Sequence, residues 1–73
     1  MDKLDRITQD ALVMAGRPCI RGMRVTVSMI AGQIASGLSI EDLLEDYPYL
    51  EREDVLQALH FTAQRLKSTI TSK

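Results

Sequence analysis

A chain of 73 residues, 45% hydrophobic and 26% charged, suffices for one small globular domain and is too apolar to stay disordered. A formal net charge of -1 gives no overall attraction to nucleic acid, so any such contact has to come from a local patch. With 4% aromatic residues and no tryptophan the core must be aliphatic, and an aliphatic core this small commonly gains support from self-association.

In the first 25 residues no helical period is found. Short β-prone pieces (Arg6 to Thr8, Leu12 to Met14, Cys19 to Ile20, Arg24 to Val27) alternate with Gly16, Pro18 and Gly22, as in extended segments joined by turns. Strands so short have to pack on helices or pair with a second copy. This arm is the one locally basic region. Residues 1–25 hold Lys3, Arg6, Arg17, Arg21 and Arg24 against Asp2, Asp5 and Asp10. Two readings stand side by side for the arginines. They hold phosphates through guanidinium forks and glycine-exposed amides, or they pair with carboxylates of the acidic "EDLLEDY" segment and pin the arm. Arg24, beside Val25, is assigned to internal pairing, while Arg17 and Arg21 stay open between the two. Gly16 and Gly22 are expected in turns that need positive φ.

The spacing predicts three helices after the arm, over 26–36, 39–47 and 51–70. Thr26 is a suitable N-cap for the first, with Val27, Ile30, Ala31, Ile34 and Ala35 on one face, and Gly37 supplies its left-handed stop. Ser39 caps the second, where Ile40, Leu43, Leu44 and Tyr47 follow the i, i+3, i+4, i+7 pattern up to Pro48. The third is expected to bury Leu56, Leu59, Ala63, Leu66 and Ile70, with Val55 at the edge of the stripe. Glu51, Glu53 and Asp54 suit its positive end, and Arg65 and Lys67 its later turns. The expected fold is therefore mainly α: a short N-terminal β-prone arm or hairpin, then a three-helix, helix-turn-helix-like bundle, all in one domain spanning residues 1–73.

A helix-turn-helix module would use the third helix for recognition, with Arg52, Glu53 and Gln57 as its first exposed positions. The same pattern also describes an ordinary trihelical core with solvated polar faces, and the acidic start of that helix opposes phosphate docking. Met29 and Phe61 fall off the expected apolar stripes. With the neighbouring Arg65 they are candidates for a subunit contact, Phe61 equally for packing under the arm.

Chemistry of its own is not expected. One cysteine, Cys19, and one histidine, His60, cannot make a four-ligand zinc site, and no internal disulfide can form. Cys19 reads as a small buried or half-buried apolar residue and His60 as solvent-facing. Neither a phosphate-binding glycine signature nor a nucleophile elbow occurs. No catalytic residue, metal, cofactor or small-molecule substrate is therefore assigned. The first residues lack the apolar segment of a signal peptide, no run approaches membrane-spanning length, and a reducing cytoplasm is the expected compartment.

Gly16-x-Pro18-x-Ile20-x-Gly22-x-Arg24-Val25, a helix, then Gly37-Leu38-Ser39 and Glu45-Asp46-Tyr47-Pro48 resemble the small bacterial domain of unknown function family 433, from about Ile7 to about Leu66. Members are similar to helix-turn-helix proteins, many are taken as antitoxins of type II toxin–antitoxin pairs, and their gene neighbours often resemble PIN-like nucleases. The resemblance implies a homodimeric binding module that contacts operator DNA and restrains a toxin. Two positions depart from the family: Met23 stands where Thr is frequent, and Glu51-Arg52 where Thr-Pro commonly opens the third helix. The resulting expectation is a DNA-binding regulator or antitoxin, with Arg17, Arg21, Arg24, Arg52 and Gln57 as contacts. The alternative is a protein-interaction subunit that masks a basic partner, such as a PIN-like nuclease toxin, without touching DNA.

Overall fold

The computed structural model describes residues 4–70, with side chains to residue 66. Lys3 and the side chains of Lys67 and Ile70 thus lie outside the described residues. Strands β1 (Ile7–Thr8) and β2 (Cys19–Ile20) form an antiparallel pair, and helices α1 (Val27–Ala35), α2 (Ile40–Asp46) and α3 (Arg52–Ile70) follow. The protein is mainly helical, with a two-stranded N-terminal hairpin. Register pairs Ile7 with Ile20 and Thr8 with Cys19.

Local chemistry explains the boundaries. Thr26 Oγ1 accepts from the Met29 amide at 3.1 Å and Ser39 Oγ from the Asp42 amide at 3.1 Å, so each hydroxyl satisfies a donor left over in a first turn. At the end of α1, Gly37 adopts φ +109, the Leu38 amide reaches Gln33 O at 3.1 Å and the Gly37 amide reaches Ile34 O at 3.0 Å. That pair of bonds needs a residue free to turn left-handed, which glycine is. Before Pro48, Tyr47 leaves helical geometry (φ -126, ψ 77) and α2 stops.

In the arm, the Leu12–Met14 piece is not extended. It bends into a 3-10 turn over Met14–Gly16 whose three residues all have positive φ (50, 59 and 81). Asp10 Oδ1 accepts from the Leu12 amide at 2.9 Å and turns the chain, because an Asx side chain can stand in for a backbone acceptor. Leu12 is left 88% exposed at the tip, and Gln9 Nε2 closes the base of the loop on Gly16 O at 3.2 Å.

The core is aliphatic: Ile20, Val25, Val27, Ile30, Leu43, Leu50, Val55 and Ala58 are buried together. α1 packs on α3, and α2 and the hairpin close the ends. On α1, Val27 and Ile30 are buried as expected, whereas Ala35 is exposed. On α3 the expected stripe is not the one that sinks. Leu56 is 42% and Leu66 59% exposed, Ala63 is exposed and Leu59 half-buried. Asp54, Val55, Gln57 and Ala58 are buried instead, with Phe61 and Thr62 half-buried. The helix is rotated by about one residue, roughly 100°, from the orientation that hydrophobicity alone selects, and the reason is the polar contact described below.

Core truncation should separate interior from tip. Leu43→Ala, at a fully buried position, is expected to lower the free energy of unfolding by about 2–4 kcal/mol. Leu12→Ala, at the loop tip, should stay within about 0.5 kcal/mol of the parent. Urea denaturation followed by helical circular dichroism measures both.

Candidate nucleic-acid interface

The residues between β2 and α1 make a tight hairpin. Cys19 bridges to Thr26, the Ile20 amide donates to Val25 O at 3.0 Å and the Met23 amide to Ile20 O at 2.8 Å. The two central turn residues, Arg21 and Gly22, have φ +47 and +73, the pairing of a type I′ turn that follows the natural twist of the strands. Gly22 takes this shape freely. Arg21 does not, since a left-handed non-glycine residue costs roughly 1–2 kcal/mol, and so its side chain and backbone must be held from outside.

They are held by α3. Asp54, fully buried in its first turn, accepts from Arg21 Nε at 3.2 Å and Nη2 at 2.8 Å, from Arg6 Nη1 at 2.9 Å and from the Glu51 amide at 2.8 Å. Arg21 Nη2 also donates to Tyr49 O at 3.0 Å, and its amide to Arg6 O at 2.8 Å. Arg6 Nη1 reaches Glu51 Oε1 at 2.6 Å as well. Burial on its own would raise the Asp54 carboxyl, but the bonds from Arg21, the Glu51 amide and Arg6 outweigh it, and the group titrates below its ordinary value. Bonds to Glu51 first and Asp54 second hold Arg6 above its usual range, and the bond to Asp54 does the same for Arg21.

Gln57, one turn on, completes the seal. Its Oε1 accepts from the Arg6 amide at 2.9 Å, and its Nε2 donates to Asp5 Oδ1 at 3.1 Å and Glu53 Oε2 at 3.3 Å. The pairing that pins the arm thus runs to α3, not to α2, and Arg21 and Arg6 make it rather than Arg24. Arg6 is a site residue that the sequence pattern does not single out. The one signal that pointed to it is Asp54, an acid at the third helical position, where a side chain reaches back to the helix start.

The other sequence candidates divide cleanly. Arg17 and Arg24 are exposed, and among the described residues neither guanidinium has an ion pair or hydrogen bond. Arg52 is exposed and paired with Glu41 at 3.2 Å. Arg21 and Gln57, by contrast, spend their polar atoms inside the molecule. Met29 and Phe61 are half-buried and pack against the core. Arg65 stacks 5.4 Å from the Phe61 ring centre, and both line a groove of about 270 Å³ with Pro18, Val27 and Leu66. Cys19 is buried, its thiol donating to Arg17 O at 3.2 Å, whereas His60 is exposed beside Gln64. Among the described residues no three His, Cys, Asp or Glu come together to hold a metal ion, and no helix is long and apolar enough to cross a membrane.

The surface that results is divided by charge. The hairpin presents Arg17 and Arg24, while α2 and the start of α3 present the exposed acids Glu41, Asp42, Glu45, Asp46, Glu51 and Glu53.

Comparison with known proteins places residues 7–62 in the family described as "Protein of unknown function (DUF433)". A relative from Sinorhizobium fredii, named "Uncharacterized protein y4eO", is 34% identical over 62 residues. The match takes in 84% of this chain and 28% of the relative, so the chain spans under a third of that protein's length. No solved structure matches.

Titration should expose the buried carboxylate. The folded value of Asp54 lies below the unfolded value of about 3.9, so its contribution is complete above that pH and is lost as pH falls through the folded value. Asp54→Asn should cost about 2 kcal/mol at neutral pH and flatten the acid limb of stability against pH. Urea midpoints collected from pH 7 down to 3 give both; an acid limb unchanged in the variant would remove the carboxylate from this role.

Proposed function

The chain belongs to the DUF433 family, and we propose that it is a DNA-binding module: a homodimeric regulator or antitoxin of a type II toxin–antitoxin pair. The observation that carries this reading is the pair of exposed arginines on either side of β2, Arg17 and Arg24, whose guanidinium groups have no ion pair among the described residues, while the clamp on Asp54 absorbs Arg6 and Arg21. Exposed guanidinium groups suit phosphate oxygens, because Arg forks bind them in two-point geometry. The family's similarity to helix-turn-helix proteins, many of its members being taken as antitoxins, supports the same assignment.

The contact mode differs from recognition by α3. Gln57 is engaged, Arg52 is paired with Glu41, and Glu51 and Glu53 would meet phosphates with the wrong sign. On this reading Arg17 and Arg24 meet the backbone of the duplex, and the acids at the start of α3, to which the turn is fastened through Arg21, stay out of the contact. A second role is favoured by the acidic face itself. Six exposed carboxylates on α2 and the start of α3 fit a basic protein, and a nuclease toxin, whose cleft attracts polyanions, is such a partner. An antitoxin uses both surfaces at once.

Binding to duplex DNA, titrated across salt, tests the hairpin. The affinity is expected to fall with salt, and Arg17→Ala with Arg24→Ala should reduce the slope of log K against log salt by about two, one for each lost phosphate contact. Arg52→Ala should leave the slope unchanged. Absence of binding at low salt, or a slope indifferent to the hairpin pair, would end the DNA assignment. Co-purification with the neighbouring gene's product, lost on reversing Glu41 and Glu45, would then carry the second role alone.

A further inference from the structure

Tyr47 and Tyr49 flank Pro48 in the connector between α2 and α3, and their rings meet edge to face, 6.1 Å between centres at 81°. Tyr47 is half-buried against the core, whereas Tyr49 is 52% exposed. The backbone beneath them is held at several points. The Leu50 amide donates to Tyr47 O at 2.9 Å, Arg21 Nη2 donates to Tyr49 O at 3.0 Å, and Leu50 is buried. Pro48 fixes its own φ between the two tyrosines. Tyr49 is therefore an exposed aromatic on an ordered backbone. Such a side chain, with two rotatable bonds, gives contact area at little entropic cost.

The charges around the connector select what that ring meets. Residues 41–54 carry seven carboxylates and one arginine, Arg52, which pairs with Glu41. Arg6 and Arg21 reach in from the arm and serve Glu51 and Asp54. Three guanidinium groups against seven carboxylates leave a local excess of negative charge. Among the described residues Glu45 and Asp46 have no ion pair, and they occupy the last turn of α2, where the carbonyl ends favour a cation and no basic residue stands. Asp46 directly precedes Tyr47, and Glu51 lies two residues beyond Tyr49, its Cα no more than about 7 Å away. The face of an aromatic ring is itself negative. Ring and carboxylates thus favour the same occupant, a planar guanidinium, which stacks on the one while its edges bind the others. Among the described residues the cation over a ring is Arg65 on Phe61, and neither tyrosine ring has one.

We propose that Tyr49 anchors the acidic face: an arginine side chain of a basic partner protein stacks on its ring, and the carboxylates beside the connector complete the contact. The inference rests on the second role proposed above, the acidic face as a surface for a basic protein, and names the side chain at its centre.

Fluorescence anisotropy with labelled octa-arginine and octa-lysine at low salt tests it. The parent chain is expected to bind octa-arginine more tightly than octa-lysine. Tyr49→Leu, at an exposed position, should keep its helical circular dichroism, weaken octa-arginine binding about threefold and abolish the preference. Tyr49→Phe, which retains a ring, should bind as the parent does. Glu45→Gln combined with Asp46→Asn should weaken both peptides. Octa-arginine bound equally well by the parent and by Tyr49→Leu, or as large a loss in Tyr49→Phe, would overturn the anchor. If the neutralised pair still lost both peptides, the acidic face would stand without it. A parent chain that binds neither peptide would remove the anchor and the acidic face together.

Discussion

The buried carboxylate of Asp54 is the contact on which the arrangement of this protein depends. A charge withdrawn from water is tolerated only when its oxygens are fully engaged, and both oxygens of Asp54 are. They bind two guanidinium groups and one amide from segments 48, 33 and 3 residues away in sequence. One group therefore does three jobs. It closes the start of α3, fastens β1 through Arg6, and holds the left-handed Arg21 at the tip of the hairpin. It also sets the rotation of α3, because Asp54 and Gln57 can face the arm only if Leu56 and Leu66 face outward.

That rotation determines which charges the surface shows. The arm is basic in sequence, yet Arg6 and Arg21 are consumed inside the molecule. Among the described residues Arg17 and Arg24, on either side of β2, reach solvent without an ion pair. The acids of α2 and the start of α3 have no such internal demand, apart from Asp54, the bond of Glu53 with Gln57 and the exposed pairs of Glu41 and Glu51. A nearly neutral chain thereby shows separate basic and acidic patches, and no composition average reveals it.

Much of the fold was legible because its stop and start signals are local. Thr26, Ser39, Gly37 and Pro48 each act within one turn, and the helix ends fall within a residue of where those signals put them. The orientation of α3 was not legible in this way. Its more conspicuous apolar series, Leu56 to Leu66, obeys helical spacing without a break, whereas the buried face contains Asp54 and Gln57, which hydropathy assigns to solvent. The choice between the faces is made by partners more than thirty residues away. The candidate interface shows the same limit. That the arginine-rich turn would be a structured hairpin followed from Gly22 and the β-prone flanks, but which arginines remain available depends on which one reaches Asp54. Arg21 does so from a backbone conformation that a propensity argument would give to glycine.

The loop between β1 and β2 stands apart from this economy of contacts. Its base is closed by Gln9 on Gly16, its tip holds an almost fully exposed Leu12, and the clamp on α3 takes nothing from residues 9–16. Since doubling the length of a flexible loop adds only about 0.6 kcal/mol of closure entropy, this stretch can accept inserted sequence while the hairpin and helices keep their places. It is where relatives of this fold have room to differ in length, and where a tag or a graft would disturb the molecule least.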